Sequence, residues 1–178
     1  MEEIQMLKAG KVGIVPTDTL YGLSAGAFDA AACARIYALK GRDEGKPFII
    51  LIADMSDLSR FGIELTAVQK SYLDTVWPGP VSVILPCPHE EFTYLHRGTT
   101  TLAFRLPILP ELRALLRETG PLVAPSANPQ GLEPAHTLEE ARAYFGDRVD
   151  FYIEGGRKDA KPSTIISLAS GVPVVIRP

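Results

Sequence analysis

Short apolar runs, each leading into a loop that contains proline, restrict the fold of this chain most. Three of these runs are followed directly by a proline: Val12–Val15, Val81–Leu85 and Leu122–Ala124. Phe48–Ile52 is an uninterrupted apolar run, which suits a strand buried on both faces. Together with a further strand predicted over Thr101–Leu106, these runs indicate a core built on a sheet with shaped loops at its strand ends.

Amphipathic segments between these runs predict helices, and several carry capping residues. Asp29 is placed to cap a helix that runs to Leu39, with Gly41 beyond its end. The polar stretch His89–Gly98 is predicted to be irregular. The predicted helices cover Met1–Lys8, Asp29–Leu39, a capping box at Thr66 to about Val76, Pro110 to Gly120, and a segment that starts at a second capping box, Thr137–Glu140.

Three late apolar runs follow one another without a helical segment between them. They are Val149–Ile153, Thr164–Leu168 and Val172–Ile176. Because parallel neighbours need a long crossover connection, such consecutive strands indicate a mixed sheet rather than a wholly parallel one. With no internal repeat and no linker, residues 1–178 are predicted to form a single α/β (α+β) domain.

Composition excludes several classes of protein. Hydrophobic residues make up 46% of the 178 residues, which is enough to bury a core and argues against disorder. The formal net charge of −3 argues against a dedicated nucleic-acid binder, so contact with RNA would need a local basic patch. The acidic N-terminus resembles no signal peptide, and Phe48–Ala53 is far shorter than the ~20 residues of a membrane helix.

The two cysteines and three histidines carry no recognisable ligand pattern. Cys33 and Cys87 form no C-x-x-C pair, which predicts buried thiols in a reducing cytosol and a cytoplasmic protein. The histidines lack metal-ligand spacing, so no metal site made by the protein alone is predicted. No G-x-S-x-G elbow indicates a serine nucleophile.

Three loops concentrate polar groups at predicted strand ends, where ligand sites collect in sheet proteins. Pro16–Leu23 brings together two threonines, a carboxylate and a phenol. Lys40–Pro47 holds three cations, which suits a polyphosphate, although the P-loop spacing is absent. Pro125–Gly131 fixes a hydroxyl and an amide between prolines. From the residues alone, turn hydrogen bonding remains an alternative for the first and third loops, and a solvated charged face for the second.

Weaker candidates lie outside these loops. Arg105 sits on an otherwise apolar strand and needs an anionic partner if it is buried. Ser163 and the terminal Arg177 are placed where they could line the same cleft.

In this order, the segments resemble the YrdC-like family of threonylcarbamoyl-AMP synthases. Each segment is weak alone, but their order and spacing over nearly the whole chain are specific. The family's K-x-R and S-x-N patterns fall on Lys40, Arg42, Ser126 and Asn128. The matching segments are PTDTLYGL (16–23), KGRDEGKP (40–47), WPGP (77–80), FRLP (104–107), PSAN (125–128), ST (163–164) and VVIRP (174–178).

The resemblance implies a three-layer fold around a twisted mixed sheet with a concave, locally positive face. It implies a nucleotidyltransferase that forms threonylcarbamoyl-adenylate and pyrophosphate from L-threonine, bicarbonate and ATP, with Mg²⁺ held mainly by ATP phosphates. A partner transferase would pass the threonylcarbamoyl group to tRNA, and direct tRNA binding is an open expectation. Ending at Pro178, the chain is expected to be the short, single-domain form.

The resemblance also assigns roles by position. Leu51 stands where many members carry a histidine, which questions one threonine contact. Lys40 and Arg42 are expected to be catalytic. The residues expected to bind L-threonine are Thr19, Arg105, Ser126 and Ser163. Those expected to bind ATP are Arg42, Lys46, Thr101, Asn128, Thr137 and Arg177.

Two other functions remain compatible with the same residues. One is a non-catalytic RNA-binding module that uses the positive concavity. It would show salt-dependent affinity for tRNA without ATP turnover. The other is a related nucleotide-dependent enzyme that acts on a different acyl or carbamoyl substrate.

Overall fold

The computed structural model describes residues 2–41 and 47–178. Within these residues the strands are β1 (Gly13–Pro16), β2 (Tyr21–Gly26), β3 (Ile49–Leu51), β4 (Val81–Pro86), β5 (Thr101–Arg105), β6 (Leu122–Val123), β7 (Phe151–Tyr152), β8 (Thr164–Ser167) and β9 (Val174–Arg177). The helices are α1 (Glu2–Lys8), α2 (Ala30–Lys40), α3 (Ala67–Val76), α4 (Thr93–His96), α5 (Pro110–Thr119) and α6 (Leu138–Phe145). Short 3₁₀ turns cover Met55–Phe61, Glu90–Phe92 and Gly146–Arg148.

All of these strands join one sheet in the order β7-β1-β2-β6-β3-β5-β4-β8-β9. Parallel pairing joins β1 to β7, β3 to β5 and β4 to β8. The remaining neighbours pair antiparallel, as in the β1–β2 hairpin. The mixed α/β sheet that the sequence predicts is therefore confirmed.

Alternating side chains divide the sheet into two faces. Ile50 packs into the larger of two apolar clusters, which receives side chains from α2, α3, α4 and α6. Leu51, the next residue, faces the smaller cluster, to which α1 contributes Leu7 and α5 contributes Leu112 and Leu116. The sheet thus lies between two helical layers, as expected for a three-layer fold. No helix in the described part of the chain is long and apolar enough to span a bilayer.

Helix ends follow the capping residues read from the sequence. The Asp29 carboxylate accepts a hydrogen bond from the Ala32 N–H at 2.9 Å, and Gly41 ends α2 at φ +58°. Thr66 begins α3 with a reciprocal capping box. The second predicted box is displaced, because Glu140 accepts from the His136 N–H rather than from the Thr137 N–H.

Two stretches differ from the sequence prediction. The Pro16–Leu23 segment, predicted as a loop, contains the start of β2, because Tyr21 pairs with Pro16 in a hairpin. The glycine and serine residues of β2, at positions 22, 24 and 26, hide the strand pattern in the sequence. His89–Gly98, predicted to be irregular, contains a 3₁₀ turn and α4, which bury Phe92 and Leu95 in the larger cluster.

We expect Asp29→Ala to lower the free energy of unfolding by about 1 kcal/mol, because the first turn of α2 loses its side-chain cap. Asp29→Asn keeps an acceptor oxygen at the same place and should cost much less. Urea unfolding of both variants and the parent measures the difference. Equal losses in the two variants would show that the cap bond is not what stabilises α2 here.

Candidate functional site

The side of the sheet opposite the larger cluster holds a cavity of about 440 Å³. Alternate residues of β5, namely Thr101, Ala103 and Arg105, line it, while Leu102 and Phe104 between them are buried in the core. Further lining residues come from the β1–β2 hairpin, from the start of β3, from the loop after β6, and from β8 and β9. The cavity therefore spans a sheet face as well as the strand ends where the sequence predicted a site.

The cavity brings together six of the residues predicted for the site. They are Thr19, Thr101, Arg105, Ser126, Ser163 and Arg177. Three other predicted residues, Lys40, Asn128 and Thr137, are not among its lining residues. Arg42 and Lys46 lie outside the described residues, so their predicted roles rest on the sequence alone.

The turn between β1 and β2 is held by the hydroxyl of Thr17. This hydroxyl accepts hydrogen bonds from the N–H groups of Thr19 and Leu20, and it donates to the carbonyl of Leu20 at 2.7 Å. Thr17 is itself buried. The turn therefore presents Asp18 and Thr19 from a fixed backbone.

Arg105 reaches this turn from β5. Its Nη1 donates to the Thr19 hydroxyl at 2.9 Å, and its Nη2 lies 3.1 Å from Oδ1 of Asp18. The two charged side chains are only 6% and 5% exposed. Burial lowers the pKa of Arg105, Asp18 opposes this change, and the nearby cation of Arg177 adds to it.

Arg177 approaches the cavity from the end of β9. Its Nε and Nη2 donate to the carbonyl of Ser163, at 3.2 and 2.6 Å. The hydroxyl of Ser163 is buried against Ser82, with 2.8 Å between the two oxygens. Burial lowers the pKa of Arg177, so this guanidinium also gains from an anion in the cavity.

The loop after β6 is bound to β2 as a short extension of the sheet. Ser126 forms an antiparallel bridge with Gly22, and the Ala127 N–H donates to the carbonyl of Tyr21 at 2.8 Å. The Ser126 hydroxyl donates to Oδ1 of Asn128 at 2.6 Å. Ser126 is therefore fixed against the cavity by both its backbone and its side chain.

Lys40 supports this loop from beneath. Its side chain is buried, and its ammonium donates to the carbonyls of Ser126 and Asn128 at 2.5 and 2.7 Å. The Asn128 amide in turn donates to the carbonyls of Pro129 and Leu132. These are the contacts of positioning residues, so a catalytic role for Lys40 and an ATP contact for Asn128 stay predictions.

Two remaining predicted residues have local partners. The Thr101 hydroxyl lies 3.2 Å from that of Thr99, which also lines the cavity and which the sequence analysis did not select. The run of three threonines at 99–101 was the available signal. Thr137 caps α6 by accepting from the Glu140 N–H, and its predicted nucleotide contact is likewise untested.

Leu51 contributes to the smaller apolar cluster and is almost completely buried. The cavity wall on this strand is formed instead by Ile49, with Phe48 just before the strand. Leu51, which stands where many family members carry a histidine, is therefore not among the residues that line the cavity.

The described residues suit anion binding rather than nucleophilic catalysis. Burial raises the pKa of Cys33 to about 12 and also raises that of Cys87, so neither thiol ionises readily near neutral pH. Within 2–41 and 47–178, no three His, Cys, Asp or Glu side chains group as metal ligands. The cavity instead offers two guanidinium groups and several hydroxyls to a bound anion.

Comparison with known proteins agrees with this architecture. The Sua5/YciO/YrdC family model, described as "Telomere recombination", matches residues 5–178. The threonylcarbamoyl-AMP synthase of Chromohalobacter salexigens is 36% identical over 171 residues, which cover 96% of this chain and 92% of that protein. The protein of the same name from Bacillus subtilis is 37% identical, covering 97% of this chain and 51% of its own length.

A solved structure extends the likeness to three dimensions. The crystal structure of Pyrococcus abyssi Sua5 complexed with L-threonine superposes with a TM-score of 0.92 and 31% sequence identity. The match covers 99% of this chain and 53% of that one, so the chain spans about half the length of the Sua5 and B. subtilis proteins. By the extent of these matches, the chain belongs to the Sua5/YciO/YrdC family.

Proposed function

We propose that this protein is an L-threonylcarbamoyladenylate synthase, which forms its product and pyrophosphate from L-threonine, bicarbonate and ATP for the modification of tRNA. One observation carries the proposal most strongly. Arg105 is buried at the wall of the cavity beside Thr19, and its Nε–H, which is shielded from solvent, has no hydrogen-bond partner among the described residues. Family membership and the synthases named among the relatives support the same conclusion.

The α-carboxylate of the amino acid is assigned to Arg105. A guanidinium binds a carboxylate through two parallel N–H groups, which a lysine cannot do. Thr19, Ser126 and Ser163 line the same cavity and would offer hydroxyls to the amino and side-chain groups of threonine. The Sua5 structure with bound L-threonine supports this choice of substrate.

The chemistry needs no nucleophile from the protein. The threonine amine and bicarbonate form a carbamate with loss of water. A carbamate oxygen then attacks the α-phosphorus of ATP, and pyrophosphate leaves. Catalysis of such a step comes from positioning and charge stabilisation, which the rigid hairpin turn, the Ser126 loop and the two arginines supply.

ATP is assigned to the part of the cavity near Arg177 and Thr101, with Arg42 and Lys46 as further phosphate ligands on the basis of the sequence. Lys40 and Asn128 shape the adjoining loop. Mg²⁺ would be held mainly by phosphate oxygens and water and would offset the charge of the triphosphate. A partner transferase, tRNA and a cytoplasmic location complete the proposal.

The test is pyrophosphate release by the purified chain given ATP, Mg²⁺, bicarbonate and each amino acid in turn. The synthase proposal expects release with L-threonine and none without bicarbonate. Pyrophosphate release with a different amino acid, and not with L-threonine, would indicate the related enzyme that acts on another substrate. Salt-dependent tRNA binding without any release would instead support the RNA-binding alternative.

We expect Arg105→Lys to raise the KM for threonine at least tenfold, with the KM for ATP changed less than about threefold. The lysine keeps a cation beside Asp18, so the fold is retained, but it lacks the planar pair of donors. Steady-state kinetics with each substrate varied in turn measures the two constants. Equal increases in both would argue against a carboxylate clamp at Arg105.

Arg42→Ala should lower threonine-dependent pyrophosphate release more than about tenfold, a loss of ~1.4 kcal/mol or more of transition-state stabilisation. The reason is the loss of one cation assigned to the triphosphate. Arg117→Ala removes an exposed arginine of α5 that does not line the cavity and serves as the matched control. Near-normal turnover by folded Arg42→Ala would remove Arg42 from the mechanism.

A further inference from the structure

Asp18 is a buried carboxylate to which the mechanism above gives no part. It lies in the β1–β2 turn, is 5% exposed, and is not among the residues that line the cavity. Within the described chain it is the one carboxylate that lies within 4.0 Å of a nitrogen of Arg105. Burying a charged pair costs desolvation energy, so its presence here calls for a reason beyond stability.

The turn gives Asp18 little freedom. Thr17, the residue before it, fixes the backbone that follows it by accepting from the N–H groups of Thr19 and Leu20. The other carboxylate oxygen, Oδ2, accepts from the N–H of Ile108 at 3.4 Å, just beyond the end of β5. Asp18 therefore joins the turn to the strand segment that carries Arg105.

The contacts of Arg105 divide its guanidinium into two edges. One edge is taken by the turn, since Nη1 donates to Thr19 and Nη2 faces Asp18. The other includes the Nε–H, which is buried and has no hydrogen-bond partner among the described residues. Oδ1 of Asp18 meets Nη2 as an ion pair without hydrogen-bond geometry. The like charge of Arg177 acts against the buried guanidinium, and the carboxylate of Asp18 offsets it.

We propose that Asp18 is a positioning residue. Its carboxylate binds the Nη2 end of the Arg105 guanidinium and so orients the Nε–H edge of Arg105 for the substrate carboxylate. The inference rests on the proposed function, because that function assigns the carboxylate to Arg105. Asp18 then sets the affinity for the amino acid without touching it. Its effect depends on where its carboxylate lies and not only on its charge.

Two substitutions separate position from charge. Asp18→Asn keeps the shape and removes the charge, whereas Asp18→Glu keeps the charge and moves the carboxylate by one methylene. Positioning predicts that both variants bind the substrate carboxylate at least tenfold more weakly. If only charge compensation mattered, Asp18→Glu would behave like the parent. Asp74→Asn, which alters an exposed carboxylate paired with Lys70 on α3, is the matched control.

The direct readout is the Arg105 Nε–H signal in ¹⁵N-detected NMR spectra, assigned by its disappearance in Arg105→Lys. Titration with L-threonine, and separately with sodium acetate, follows its shift and gives the affinity. We expect both titrants to move the signal in the parent and in Asp74→Asn. We expect at least tenfold weaker L-threonine affinity in both Asp18 variants. Circular dichroism checks folding, and if Asp18→Asn does not fold, Asp18→Glu alone decides.

Kinetics supply the second readout. Both Asp18 variants should raise the KM for threonine at least tenfold, with kcat and the KM for ATP changed less than about threefold. In an Arg105→Lys background, Asp18→Glu should add little, because Asp18 acts through Arg105. A purely structural role would instead lower kcat as well and add fully to the effect of Arg105→Lys.

The two proposals can fail separately. Threonine binding at the Nε–H without pyrophosphate release would overturn the proposed function, while at least tenfold weaker binding by both Asp18 variants would still support the positioning role. An Nε–H signal that no carboxylate moves, or an affinity in Asp18→Glu within twofold of the parent, would overturn the positioning role. Pyrophosphate release with unchanged threonine KM in the variants would overturn it as well.

Discussion

Two buried cations hold together the segments that line the cavity. Lys40 donates to the backbone of the Ser126 loop from the end of α2, and Arg105 binds the β1–β2 turn from β5. A buried cation without partners would be strongly destabilising, so the carbonyls, hydroxyl and carboxylate that meet these two side chains are also requirements of folding. The same buried contacts therefore stabilise the fold and fix the segments that line the cavity.

This arrangement divides the polar residues into those that face the cavity and those that support them. Thr19, Ser126 and Ser163 line the cavity, and each hydroxyl already has a protein partner. Thr17 and Lys40 are fully buried or nearly so and act on the cavity through these neighbours. An enzyme that works by positioning needs such support, since small displacements of a bound substrate lose much of the rate.

The sequence predicted most of the framework, because the signals there are local. Asp29, Thr66 and the proline at position 110 begin helices by capping or by a fixed φ, and the structure places helix starts at all three. The strand β2 was missed because Gly22 and Ser24 interrupt its apolar pattern. The pattern alone does not reveal that these small residues are buried where β2 meets its neighbours.

The candidate site was predicted less evenly. The predicted hydroxyls of Thr19, Ser126 and Ser163 and the arginines Arg105 and Arg177 line the cavity. Lys40 and Asn128 do not line it and instead hydrogen-bond to the Ser126 loop. A sequence motif does not show whether a side chain faces a ligand or supports a neighbouring residue. Asp18 stood in a recognised motif but received no role, since its partner Arg105 is 87 positions away along the chain. Arg42 and Lys46 remain sequence predictions.

The bridge between Gly22 and Ser126 has a geometric consequence for the cavity. A Cβ atom at position 22 would lie 3.3 Å from the Cβ of Ala124 and 3.4 Å from the hydroxyl of Ser24, tighter than or at the limit of ordinary contact. A side chain at position 22 would therefore require its neighbours on the hairpin and on the loop after β6 to move by a few tenths of an ångström. The absence of a side chain at position 22 therefore helps to set the distance between these two segments of the cavity lining.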